Sequence, residues 1–302
     1  MADLWDEVAR RYDWSAKLGE HLRRLFACYL ESGLAPPHML AEIKTADEQK
    51  LWAHIWEAQL YRHFRLLGFD FRTGLVSGAG QVGPDFGIVN GDRTIWVEAT
   101  VPGPEGICLE WISPPTKSAT VKAKPYNQIL LRYTSAFAAK SKVFREYRDK
   151  GIVGSRDMTI IAISGCRLYD HAFEDRGISG LQFPVEAAFP VGPLAIPLDE
   201  NNCQSGEQHN IPRYHIPKIS GASVSTIGFL DRHHSHVSAL LGGFRKFWSE
   251  SELGLTLVHN PLAENPLLTG ILGASTEFEA VPEGDEVYSL RVVERAASSF
   301  RA

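Results

Sequence analysis

Asp85 and Glu98 are the side chains in this sequence best placed to share one chemical task. They flank Asn90-Gly91, a dipeptide that favours positive φ at both turn positions and sits between β-forming residues, so the stretch 81–100 predicts a hairpin. With Asn90 and Gly91 as the loop, Val89 faces Asp92, Ile88 faces Arg93 and Asp85 faces Trp96. Side chains alternate along a strand, which puts Glu98 and Thr100 on the face of Trp96 and Asp85. Asp85 and Glu98 then become diagonal neighbours with Cα atoms about 7–8 Å apart. Two carboxylates so placed can converge on a hard divalent cation such as Mg²⁺ or Mn²⁺, which takes oxygen ligands. The competing reading is a solvated acidic pair beside a turn. Glu98, however, lies in the apolar run Thr94-Ile95-Trp96-Val97-Glu98-Ala99, and a buried carboxylate needs a partner or a metal.

Two helices and a strand must position this pair. The first helix spans 46–67, with Trp52, Ile55, Trp56, Leu60, Phe64 and Leu67 as its apolar stripe and Gly68 as its stop. Glu57 lies at the border of that stripe, either as a solvated flank residue or as a third acid turned toward the hairpin. The second helix, 127–150, gathers Gln128, Arg132, Ser135, Ala136 and Ala139 on one side, with Lys140 at its edge. Small residues there allow close approach to a sheet, and Arg132 can point toward the acidic pair or form a simple ion pair with Asp85 or Glu98. The run 158–165 is apolar throughout and ends in Gly, as expected of a central strand buried on both faces.

Pro84-Asp85, a spacer, and then Glu98-Ala99-Thr100 resemble the core motif of the PD-(D/E)XK nuclease superfamily. The resemblance covers about fifty residues, because that family also tends to carry a Glu on the preceding helix, where Glu57 stands here. It implies a restriction-endonuclease-like α/β (α+β) fold, a mixed central sheet flanked by helices. It also implies Mg²⁺ or Mn²⁺ held by Glu57, Asp85 and Glu98. Thr100 occupies the place of the family's lysine. Some members relocate that lysine to a neighbouring helix, which makes Lys140 the candidate and Lys142 the alternative; a solvated basic face comprising Lys140, Lys142, Arg145 and Lys150 is the competing reading. The activity implied is hydrolysis of phosphodiesters, DNA before RNA, with Asp85, Glu98, Lys140 and Arg132 as catalytic residues. Bacterial defence is the setting that the resemblance suggests. The rival is a catalytically inactive regulator, binding nucleic acid or protein, on a degenerate nuclease scaffold.

The rest of the chain constrains these readings. A chain of 302 residues, 44% hydrophobic and 22% charged, can bury a large core and does not have the composition of a disordered protein. No apolar run approaches the ~20 residues that cross a bilayer. The N-terminus lacks a signal-peptide core, and Cys28, Cys108, Cys166 and Cys203 are scattered without a C-x-x-C pair, as expected of a cytoplasmic protein with free thiols. A net charge of −5 argues against non-specific coating of nucleic acid but leaves room for a local basic surface.

Helical spacing over 3–31 predicts an N-terminal helical segment (1–45), a packing platform or a homo-oligomer contact. A nuclease-like core (46–165) follows, then an extension (166–302) packed on it, with short strands expected at 184–189, 195–196, 237–241 (strand or helix) and 255–258. The loop after Thr100, with its prolines and with Lys122 and Lys124, is a candidate for substrate contacts. The end, 285–301, reads as strand then helix. Asp231-Arg232-His233-His234-Ser235-His236 lacks the spacing of a zinc site, although a hydrolase centred on these histidines is a third alternative.

Overall fold

The computed structural model describes residues 2–45, 47–72, 83–112, 123–168, 175–244, 253–283 and 288–293. Pro114, Pro115 and Lys122 of the expected loop, and the expected helix after 293, lie outside the described residues.

Four helices come first: α1 (Ala2–Arg11), α2 (Ala16–Glu31), α3 (Met39–Lys44) and α4 (Glu48–Leu66). The single helical stretch expected over 3–31 is two helices. Asp13 takes a positive φ of 53°, and Ser15 caps α2 by accepting a hydrogen bond from the Leu18 amide. Helix α4 starts where the Asp47 side chain accepts from the Lys50 amide, and it stops before Gly68, whose φ of 82° suits only glycine well.

Strands β1 (Phe86–Asn90) and β2 (Arg93–Thr100) form the expected hairpin. Its register is Asn90↔Arg93, Val89↔Thr94 and Phe86↔Val97, so the turn is Gly91-Asp92 rather than Asn90-Gly91. Gly91 takes the positive φ, whereas Asn90 stays in the strand. A two-residue shift leaves every side chain on its expected face.

After the short α5 (Leu109–Ile112) come the long α6 (Tyr126–Asp149) and β3 (Met158–Ser164). Then follow α7 (Phe183–Ala188), β4 (Val191–Ala195), β5 (His209–Pro212), β6 (His215–Pro217), β7 (Ser223–Ser225), β8 (Ala239–Gly243), β9 (Thr256–His259), β10 (Thr276–Pro282) and β11 (Tyr288–Val293). The strand expected at 184–189 is therefore a helix. Its apolar run is too short for periodicity to decide, and Pro184 sits in its first turn, where the missing amide costs nothing.

The central sheet is mixed, with order β1-β2-β3-β8-β9-β10-β11. Strands β2, β3 and β8 run parallel, and β3 is buried along its whole length. The segment 166–302 is thus not an addition to a finished core: it supplies four strands of the seven. An expectation built on the hairpin and β3 could not see this, because β3 pairs with β8 across the whole 166–238 stretch.

The sheet separates two apolar layers. On one side Ile95, Val97, Ile160, Ala162, Leu241 and Leu257 meet α1, α2 and α4. On the other, Trp96, Ile161, Ile163, Leu240, Val258 and Phe278 meet α6 and α7. Asp157 ties the two central strands together by accepting from the Thr94 amide (3.0 Å) and the Trp96 indole (2.9 Å). Across the first layer, the Trp56 indole donates to the Ala162 carbonyl at 3.1 Å, fixing α4 on β3.

The Trp56 ring closely approaches Gly243, where an added methyl would overlap it. Gly243→Ala is expected to destabilise the fold by about 1–3 kcal/mol, read as a lower denaturation midpoint in urea.

Candidate active site

Extending the hairpin register by one pair sets Asp85 directly opposite Glu98. Asp85 ends the ladder of β1: its Oδ2 accepts from the Ala99 amide at 2.7 Å. Glu98 points to the α6 side with Trp96 and Ile161 and is 5% exposed.

Helix α6 packs through Ile129, Leu130, Tyr133, Phe137, Phe144 and Tyr147. Lys140 lies one turn from both Phe137 and Phe144, so the helix delivers it to the sheet. Its Nζ donates to Glu98 Oε1 at 2.7 Å. Lys142, the alternative, is exposed. On the next turns of α6, the buried Tyr147 donates its hydroxyl to the Gly83 carbonyl (3.1 Å), one residue before the Pro84-Asp85 pair.

Glu57 comes from α4, with its side chain mostly buried. Its Oε2 faces His54 Nδ1 at 3.2 Å, and it sits beside Tyr29. Arg132 does not join these groups: it pairs with Glu105 at 2.5 Å, in the loop that follows β2. Two turns of α6 separate it from Lys140, so the helical face that joined them in the sequence diverges over that distance. Thr100 is half-buried at the end of β2, and the positive charge at this site comes from α6 instead.

The electrostatics follow from this enclosure. Burial lifts the Asp85 carboxyl well above the usual range, and Glu98 and Glu57 push it further. Burial also raises Glu98 in spite of Lys140, with Glu57 acting in the same direction. Burial works to lower the Lys140 ammonium, but Glu98, Asp85 and Glu57 outweigh it and hold Lys140 above its ordinary value. Burial, with Glu98 and Asp85 alongside, keeps the Tyr147 phenol protonated.

Glu98 Oε2 is buried with no hydrogen-bond partner. A buried carboxylate oxygen of this kind, with a second carboxylate nearby, suits a hard cation that uses one or two carboxylates and completes its shell with water. Among the described residues no group of three or more His, Cys, Asp or Glu side chains is arranged to hold a metal. Asp85 and Glu98 are the two acids that influence each other most directly here, with Glu57 adding charge from α4.

The histidine stretch makes contacts that tie it to α6. His233 is exposed and pairs with Asp231 at 2.7 Å. His234 Nδ1 meets the Ser141 hydroxyl at 2.7 Å, and His236 Nε2 donates to the Ser141 carbonyl at 2.8 Å. Both hold α6 against the sheet, and Ser141 is too buried for a nucleophile. Two residues that the motif search passed over, His54 and Tyr147, are part of the site. Spacing gave the available signal: His54 lies one helical turn before Glu57, and Tyr147 two turns after Lys140.

No family model, curated protein or solved structure matches the chain.

A carboxyl whose pKa is raised by folding takes up protons in the native state that the unfolded chain does not. Stability is therefore lost as pH rises through the folded value. Asp85→Asn keeps an oxygen for the Ala99 amide and removes the charge. It is expected to be more stable than wild type by about 1 kcal/mol at pH 8, with the gap closing toward pH ~4, where free Asp also becomes protonated. Urea midpoints measured across that range check both the sign and the window.

Proposed function

We propose that the chain is a metal-dependent phosphodiesterase acting on nucleic acid, DNA before RNA, in the manner of the PD-(D/E)XK nucleases that its motif resembles. The observation that carries this reading is the partly buried Lys140–Glu98 pair beside Asp85, with Glu98 Oε2 buried and lacking a well-formed hydrogen bond although the Tyr147 hydroxyl lies close to the carboxylate. A structural ion pair would be expected to satisfy both carboxylate oxygens.

Asp85 and Glu98 are the residues that would hold Mg²⁺ or Mn²⁺. Glu57 concentrates negative charge at the same place. The cation, when bound, supplies Lewis acidity at the scissile phosphate and lowers the pKa of a water. Lys140 keeps a fixed positive charge inside the site, where low polarity makes it effective in orienting the attacking water and in stabilising charge on the phosphate. The Tyr147 hydroxyl, anchored on Gly83, holds the segment that enters Asp85. Arg132, paired with Glu105 in the loop after β2, would contact the substrate backbone and not the reacting phosphate. Exposed Lys142 and Arg145 on α6, and Lys150 just past its end, supply local positive charge despite the net charge of −5. A role in bacterial defence rests on the family resemblance alone.

The test is incubation of plasmid and linear DNA with Mg²⁺ or Mn²⁺. Cleavage is expected for wild type, with rates lowered at least about 100-fold in Asp85→Ala, Glu98→Ala and Lys140→Met, and lowered less in Arg132→Ala. Metal-independent binding without cleavage would favour the regulator. Cleavage that survives these changes but is lost in His233→Ala or His236→Ala would move the chemistry to the histidine stretch.

A further inference from the structure

His54 is a buried, polar side chain, 5% exposed, in the middle of a helix whose neighbouring positions are apolar. Its two ring nitrogens meet two different carboxylates: Nδ1 faces Glu57 Oε2 at 3.2 Å, and Nε2 faces Glu42 Oε2 at 2.9 Å. Glu42 belongs to α3 and is held in turn by Lys50 Nζ through its other oxygen at 2.6 Å. Lys50, Glu42, His54 and Glu57 therefore form one continuous hydrogen-bonded chain. It runs from the protein surface to the acid that faces Asp85 and Glu98.

Between two carboxylates both ring nitrogens donate, so each bond is charge-assisted and directional. A glutamate one turn away on the same helix has three rotatable bonds and would otherwise sample several rotamers. The histidine, with the Tyr29 hydroxyl alongside, selects one, and the bond to Glu42 keeps the ring from swinging, because it reaches an element outside α4.

We infer that His54 is a positioning residue for the metal site. Gripped by Glu42 on α3, it fixes the Glu57 carboxylate toward Asp85 and Glu98, and the affinity of the site for a divalent cation depends on that grip. The inference rests on the metal-site reading above. It adds that part of the ion's affinity is set from α3, outside the hairpin and α6. Outer partners of this type are worth about 10–100-fold in metal affinity.

The experiment is calorimetric titration of Mn²⁺ into the full chain, with the denaturation midpoint recorded for each variant. His54→Ala is expected to weaken Mn²⁺ binding about tenfold. Glu57→Gln should weaken it as well, and His54→Ala should then add nothing further in the Glu57→Gln background. That non-additivity is what a merely structural histidine would not produce. Glu42→Gln, at a partly exposed position that does not threaten folding, should weaken binding several-fold with little change in midpoint; it carries the test if His54→Ala does not fold. An unchanged Mn²⁺ affinity in Glu42→Gln and His54→Ala, or full additivity with Glu57→Gln, overturns the role of His54 while leaving the metal site standing. No Mn²⁺ binding by wild type overturns both.

Discussion

Placing the Glu98 carboxylate between a sheet and a helix is the constraint on which the arrangement depends. An isolated charge in that position would cost several kcal/mol, so the fold must bring a cation to it. Lys140 does so from α6 at 2.7 Å. That single contact fixes the rotation of a long helix, since the turn that presents Lys140 inward also presents Tyr133, Phe137, Phe144 and Tyr147 to the sheet. Beneath it, Asp85 replaces a backbone partner at the end of β1 and receives the Ala99 amide. Packing and polarity at this corner cannot be altered separately.

The pair is also only half satisfied. One oxygen of Glu98 meets the ammonium, and the other is buried without a well-formed hydrogen bond, the Tyr147 hydroxyl lying close to the carboxylate. Proteins that bury an ion pair for stability alone tend to complete its hydrogen bonds, because a partly satisfied network is worse than an apolar one. Here burial and the crowding of acids leave Asp85 and Glu98 with raised proton affinity. The corner is a locally destabilised part of an otherwise well-packed molecule, a pattern common to sites that perform chemistry.

Much of the corner was legible in the sequence. The hairpin, the burial of Glu98 and the α4 and α6 stripes follow from periodicity and turn chemistry, whereas a lysine reaching in from α6 was implied only by the family resemblance. Asp85 and Glu98 stay on one face even though the turn lies one residue later, because a two-residue register shift preserves side-chain direction. Arg132 was misplaced because a helical wheel compresses length: it shares a face with Lys140 but lies two turns away, where Glu105 meets it. His54 and Tyr147 left weak signals because each acts through a partner from a distant segment, Glu42 and Gly83. The second half of the sheet was hidden for a related reason. Short strands at β8–β11 become recognisable only through their pairing.

The connection between β3 and β8 carries a further consequence. Strand β3 is the longest strand of the sheet that is buried at every residue, and one of its edges stays without a neighbour until the chain has extended to Gly243. During synthesis the segment Met158–Ser164 therefore waits, sticky and unpaired, while the whole 165–238 stretch emerges. Such an edge invites pairing with another chain. Recombinant yield should consequently be governed by how quickly that edge is covered, with slower growth temperatures and holding chaperones favouring the native molecule over insoluble material.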